Sequence, residues 1–120
     1  MELQKAHGIV TMAYGPLSPL LRHPSKGGPL KPILARIGER LGLEPASVLL
    51  LWFKAKGVVP VTSTTKAERL AAMGELARSE ASLTADEVAE IDAVGRKIHY
   101  RAYDHHMMFD HHKTDLPVDL

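Results

Sequence analysis

The sequence predicts an α/β chain in which helices cross between the strands of a short parallel sheet. Two apolar, β-branched runs, "IVTMAY" at 9–14 and "VVPV" at 58–61, have the length and composition of strands, the first reading as buried. Helix-spaced apolar patterns lie between and after them, and strands joined through helices pair in parallel. Two parallel strands cannot shield their own faces and edges, so the chain reads as a section of a sheet completed elsewhere, by oligomerisation or by a partner chain.

Residues 2–7 have the character of the last turns of a helix ended by Gly8, and 9–14 follow as the first strand. The segment 15–32 holds Pro16, Pro19, Pro24, Pro29 and Pro32, five of the eight prolines, and reads as a long ordered loop of the kind that serves a site. From Leu30 to Leu41 the positions Leu34, Ile37 and Leu41, with Ile33 beside them, fall at helical spacing, and Gly42 supplies the stop. Pro45 opens a second helix, "PASVLLLWFKAK", apolar on most sides, with Gly57 at its end. After the strand at 58–61, Thr65 and Glu68 have the spacing of a capping box, which puts a helix start near Lys66 with Leu70, Met73 and Leu76 facing inward. Thr84 and Glu87 repeat the signature, and Val88, Ile91, Val94 and Ile98 form the next buried stripe. Beyond Ile98 the pattern lapses into a polar tail.

The bulk properties exclude several classes. A chain of 120 residues is one domain or a piece of a larger one. With 45% hydrophobic and 24% charged residues and a formal charge of +1, nothing points to nucleic acid or to an acidic membrane surface. The lack of cysteine excludes disulfides, thiolate metal sites and a cysteine nucleophile. The longest apolar run, Val48 to Phe53, is too short to cross a bilayer, and Glu2, Gln4 and Lys5 after Met1 do not form a signal peptide, so the expected location is cytoplasmic.

The densest chemical signal is "VVPVTSTTKAERL", 58–70, where Thr62, Ser63, Thr64 and Thr65 precede Lys66 and Arg69 at a strand-to-helix junction. A helix N-terminus presents unpaired N–H groups, hydroxyls add neutral donors, and an arginine one turn on closes a fork on an anion such as phosphate. The alternative is ordinary: hydroxyl runs before helices also serve as caps and turns.

The segments "HGIVTMAYGPLSPLL", "LEPASVLLLWFKAKGVVPVTSTTKAERL" and "SLTADEVAEIDAVG", in this order and spacing, resemble the C-terminal part of the NADP-dependent aldo-keto reductases, most of all the fungal xylose-reductase-like members, over roughly residues 3–106. The resemblance implies the last two strand–helix units of a (β/α)8 TIM barrel, with a C-terminal helix and tail, and a ligand site at the C-terminal ends of the strands. Residues 1–98 would form the partial barrel domain and 99–120 a His-rich tail. The implied cofactor is NADP: Tyr14 matches the tyrosine that stacks on the nicotinamide and Leu17 the leucine near the pyrophosphate. Thr62, with Ser63 and Thr64 beside it, matches the hydroxyl contact to the 2′-phosphate, and Arg69 its clamp. Gly15 stands where many members have serine, Val61 where many have lysine, and Met73 where asparagine is frequent; the run before Arg69 is longer than theirs. The family's catalytic tyrosine, lysine, aspartate and histidine come from the first half of the barrel and have no counterpart here. No catalytic residue is therefore assigned, and Lys54, Tyr100 and Tyr103 match no catalytic position. For Trp52 and Phe53 the expectation is helix-to-barrel packing.

Five of the seven histidines lie at 99, 105, 106, 111 and 112, and "DHHMMFDHH" repeats Asp-His-His. Imidazoles and carboxylates bind zinc or nickel, but no helical ligand pair fixes a geometry, so no metal is assigned and a solvated or pocket-covering tail is expected, with Met107, Met108 and Phe109 as an apolar lid. The basic run "GRKIHYR" reads as a solvated helix end.

Three functional readings follow. The first is the NADP-binding portion of a reductase of small carbonyl compounds, or its relic, without its catalytic tetrad. The second is a shortened barrel that dimerises and performs cofactor-independent acid–base chemistry (isomerase, cyclase or lyase) through His99 or His105. The third is a non-catalytic interaction module whose strand edges pair with a partner.

Overall fold

The computed structural model describes residues 2–22 and 28–98. Along the chain run α1 (Glu2–Ala6), β1 (Thr11–Tyr14), α2 (Ser18–Leu21), α3 (Leu30–Leu41), α4 (Pro45–Ala55), β2 (Val58–Val61), α5 (Ala67–Arg78) and α6 (Ala85–Gly95). β1 and β2 form a parallel two-stranded sheet, Thr11 opposite Val58 and Tyr14 opposite Val61. The mixed α/β order expected from the sequence is present.

The core is built by α3 and α4, on which β2 and α6 pack. In α3 the i, i+4, i+7 spacing turns Leu30, Leu34 and Ile37 to one side, where all three are buried. Gly42 ends the helix at φ 68°, and the N–H of Leu43 reaches back to the carbonyl of Gly38 at 2.8 Å, so the chain folds tightly over the helix end. Pro45 at the first turn opens α4, whose Val48, Leu49, Leu50 and Leu51 are buried. Leu34 and Val48 have no exposed surface, and each such side chain contributes about 1.5–3 kcal/mol relative to exposure.

Polar contacts fix α6 against α3 and α4. Thr84 and Glu87 form the expected capping box: the Glu87 N–H donates to Thr84 Oγ1 (3.2 Å) and the Thr84 N–H to Glu87 Oε2 (2.8 Å). The same carboxylate accepts two bonds from Arg40 of α3, both 2.7 Å, and Arg36 pairs with Glu90 one turn on. The Arg40 guanidinium, with help from the Thr84 cap, holds the Glu87 carboxyl below its ordinary range. The helix cap and the interhelical contact thus share one residue.

Several expectations are corrected. β1 covers only 11–14 and is not buried: Met12 is 65% and Tyr14 80% exposed, and Ile9 and Val10 are exposed beside them. No described element covers that side of the sheet, and Val59 and Val61 continue the same open apolar face. The loop 15–32 contains the single-turn helix α2. The Thr65–Glu68 capping box does not form. Thr64 Oγ1 accepts the Lys66 N–H at 3.1 Å, a local turn that displaces the helix entry to Ala67, with Lys66 extended before it and no side-chain cap. The inward face of α5 reduces to buried Leu76 and half-buried Met73, while Leu70 is 65% exposed. In α6 only Ile91 of the predicted stripe is fully buried. The readings placed on 99–120, including His99, Tyr100, Tyr103, His105, His106, Met107, Met108, Phe109, His111 and His112, lie outside the described residues.

Candidate functional site

Because β1 and β2 are parallel and in register, Tyr14 and Val61 end their strands side by side and both following segments leave from one edge of the sheet. Gly15, at φ 63°, turns the first segment sharply, and the Ser18 N–H closes the turn on the Gly15 carbonyl at 3.0 Å. Pro16 and Leu17 then sink into the core, Leu17 being 8% exposed, and α2 carries the chain back out to Arg22. The second segment runs from Val61 through the hydroxyl residues to α5.

Between the two segments lies a cavity of about 270 Å³, walled by Tyr14–Ser18, Leu21 and Arg22 on one side and by Val61, Thr62 and Ser63 on the other. Four of the six cofactor-binding candidates, Tyr14, Leu17, Thr62 and Ser63, therefore come together although the sequence places them in two groups far apart. Thr64 and Arg69 lie outside the lining: Thr64 holds the Lys66 N–H, and Arg69 is exposed on the first turn of α5. Arg22 was not foreseen. It is a single arginine in a Pro/Gly-rich stretch with no spacing signature, and only the turn at Gly15 and the short α2 bring it to the cavity.

The described lining contains one guanidinium, three hydroxyl side chains besides the tyrosine, and no carboxylate. Such a set donates to an anion, and the exposed Tyr14 ring offers a flat apolar surface at its edge. Nothing in it forms a general acid–base pair. Among the described residues no group of three histidine, cysteine or acidic side chains is arranged to hold a metal. Two further grooves are mainly apolar: about 610 Å³ between α4, β2 and α5, beside Leu50, Val58 and Met73, and about 350 Å³ where Trp52, Phe53 and Ile91 approach Pro16 and Pro19. None of the described helices is long and apolar enough to cross a membrane.

No protein-family model matches the chain. It is 33% identical over 109 residues to the NAD/NADP-dependent indole-3-acetaldehyde reductase of Schizosaccharomyces pombe, across 89% of this chain and 36% of that protein. It is 31% identical over 91 residues to the NADPH-dependent alpha-keto amide reductase of Saccharomyces cerevisiae, across 74% of this chain and 28% of that protein. Its fold matches part of an aldo-keto reductase of the silkworm Bombyx mori with a TM-score of 0.64, at 20% identity, covering 77% of this chain and 28% of that one. The chain thus spans about a third of the length of the curated relatives it matches.

Proposed function

We propose, from the premise that this chain is related to the aldo-keto reductases over the part of their length it spans, that it is the NADP(H)-binding segment of a reductase of small carbonyl compounds. The observation that carries this reading is the gathering of Tyr14, Leu17, Thr62 and Ser63 around one cavity at the C-terminal ends of both strands. In this reading the two strand–helix units belong to a (β/α)8 barrel, and its ligand-binding face is the edge where that cavity opens. The Tyr14 ring stacks on the nicotinamide. Thr62, Ser63 and Thr64 donate hydroxyls to the 2′-phosphate, and Arg69 closes on it from α5. The bound dinucleotide would supply the hydride; the proton would come from residues this chain does not contain.

The open sheet face of Met12, Tyr14, Val59 and Val61 supports a second part of the reading: another polypeptide, a second copy or a partner chain, completes the sheet. The cytoplasm is the compartment that suits such a reductase.

Calorimetric titration of the chain with NADP and NAD tests the assignment. NADP is expected to bind more tightly, because it alone brings the extra phosphate. Arg69→Met is expected to cost roughly ten- to a hundred-fold in NADP affinity, the weight of a charge-assisted hydrogen bond, and to leave NAD nearly unchanged. Equal affinities for both nucleotides, or an Arg69→Met change that weakens both alike, would reduce the hydroxyl run to a turn.

A further inference from the structure

The groove of about 610 Å³ between α4, β2 and α5 is separate from the cavity at the strand ends and shares only Thr62 with it. Of the α5 residues that reach it, only Leu76 is buried; Met73 is half-buried and Ala77 exposed, so the space between α5 and β2 stays unfilled. The lining follows β2 from Gly57 before the strand to Thr62 after it, roughly 15 Å at strand spacing. Its walls are aliphatic, with one charged residue, Lys54, and no carboxylate. We propose that this groove binds a medium-chain fatty acid, its hydrocarbon laid along β2 and its carboxylate at Lys54. The proposal does not rest on the nucleotide reading.

Size, polarity and charge each narrow the occupant. The volume lies within the roughly 300–1,000 Å³ of small-molecule pockets. Lys54 and Thr62 are the only polar side chains in the lining, so a sugar or a base would bury hydrogen-bonding groups without partners. An extended peptide would need main-chain bonds along β2, where Pro60 has no N–H to give. A hydrocarbon chain needs neither. Lys54 lies in the last turn of α4, and its Nζ donates to the Ser79 carbonyl at the end of α5 at 3.3 Å. That bond holds the ammonium between the two helices and leaves two of its three donors for a carboxylate.

The test is calorimetric titration of the full chain with decanoate and with decanol, for wild type, Lys54→Met and Ala77→Trp, each with a thermal melt as a folding control. Decanoate is expected to bind more tightly than decanol, and its advantage should shrink with added salt because Lys54 is exposed. Lys54→Met keeps the aliphatic stem and should cost decanoate roughly two- to five-fold, the weight of an exposed ion pair, while decanol is unchanged. Ala77→Trp, at an exposed lining position, should fill the groove and weaken both ligands. A folded wild-type chain that binds neither ligand overturns the inference. So does binding that a folded Ala77→Trp protein retains, which would place the ligand elsewhere. Equal affinity for the two ligands, or a Lys54→Met change that weakens both alike, also overturns it. A chain that takes up neither ligand and whose mass in light scattering falls on Ala77→Trp would assign the groove to a second copy instead. Should Ala77→Trp fail to fold, Lys54→Met and the salt dependence still decide the matter.

Discussion

The carboxylate of Asp92 on α6 accepts the indole N–H of Trp52 on α4 at 2.9 Å, and its second oxygen takes the Lys56 ammonium at 2.7 Å. Trp52 also stands edge-on to Phe53, with ring centroids 4.9 Å apart. One acidic side chain thus satisfies a half-buried indole and closes α6 over the α4 end of the core.

That arrangement is expected to contribute to the acid sensitivity of the fold. Lys56, and less strongly Trp52, hold the Asp92 carboxyl below its ordinary range, and Glu87 is lowered in the same direction by Arg40. A carboxyl whose folded pKa is depressed contributes stability that is complete above its unfolded pKa, about 4, and is lost as pH falls through the folded value. Asp92→Asn is expected to cost about 1 kcal/mol at neutral pH, a few degrees in Tm, and its deficit should shrink as the pH drops below about 4. Melting curves across pH check this; a deficit that stays constant into acid would show that the charge is irrelevant.

Gly38 is expected to resist replacement. Gly→Ala inside a helix normally gains about 0.5–1 kcal/mol, but a Cβ at Gly38 would lie 2.3 Å from the Leu43 carbonyl oxygen. The clash is with backbone, so Gly38→Ala should lose about 1–3 kcal/mol, and Gly95→Ala, which meets nothing within 4 Å, should not. Comparing the two urea midpoints separates steric cost from helix propensity.

The chain is expected to self-associate or to need a partner. Met12, Val59 and Val61, with the exposed Tyr14 beside them, form an apolar face that no described element covers, on a sheet of two strands among the described residues, an arrangement marginal in water. Light scattering should give a mass above the monomer, and Met12→Lys should lower it. A monodisperse monomer with a cooperative melt would rule out this expectation.

Purified alone, the chain is expected not to reduce simple aldehydes with NADPH. The general acid that the resemblance implies has no assigned counterpart among the described residues, and such a group is worth about 10² to 10⁴ in rate. Following NADPH oxidation checks this; turnover at rates usual for intact reductases would mean that residues not assigned here donate the proton.

The sequence made the long periodic elements legible because burial and spacing coincide there: Leu34 and Ile37 on α3, the Pro45 start of α4, and the reciprocal Thr84–Glu87 cap. It failed where short-range competition decides. Thr64 and Thr65 are equivalent as letters, and which of them turns inward depends on the approach to α5. α2 was hidden because four residues carry no period and the prolines around it suggest irregular chain. The two strand ends were readable as separate motifs; their meeting in one cavity, and the presence of Arg22 there, follow from parallel register, which no local pattern encodes.

Thr11 and Val58, partners across the sheet, are separated by the whole of α2, α3 and α4. The α3–α4 hairpin can dock through contacts between neighbours in sequence, whereas strand pairing must close a long loop first, and such contacts form late. The cavity exists only once the strands have paired, so it is expected to form after the α3–α4 contacts and to open before them. Under mild denaturant its hydroxyls and Arg22 should separate while Leu34 and Val48 still exclude water, and amide exchange at β1 should outpace exchange in α3. A ligand that spans the cavity would act as a latch on the topology, tying together the segments that leave the two distant strands.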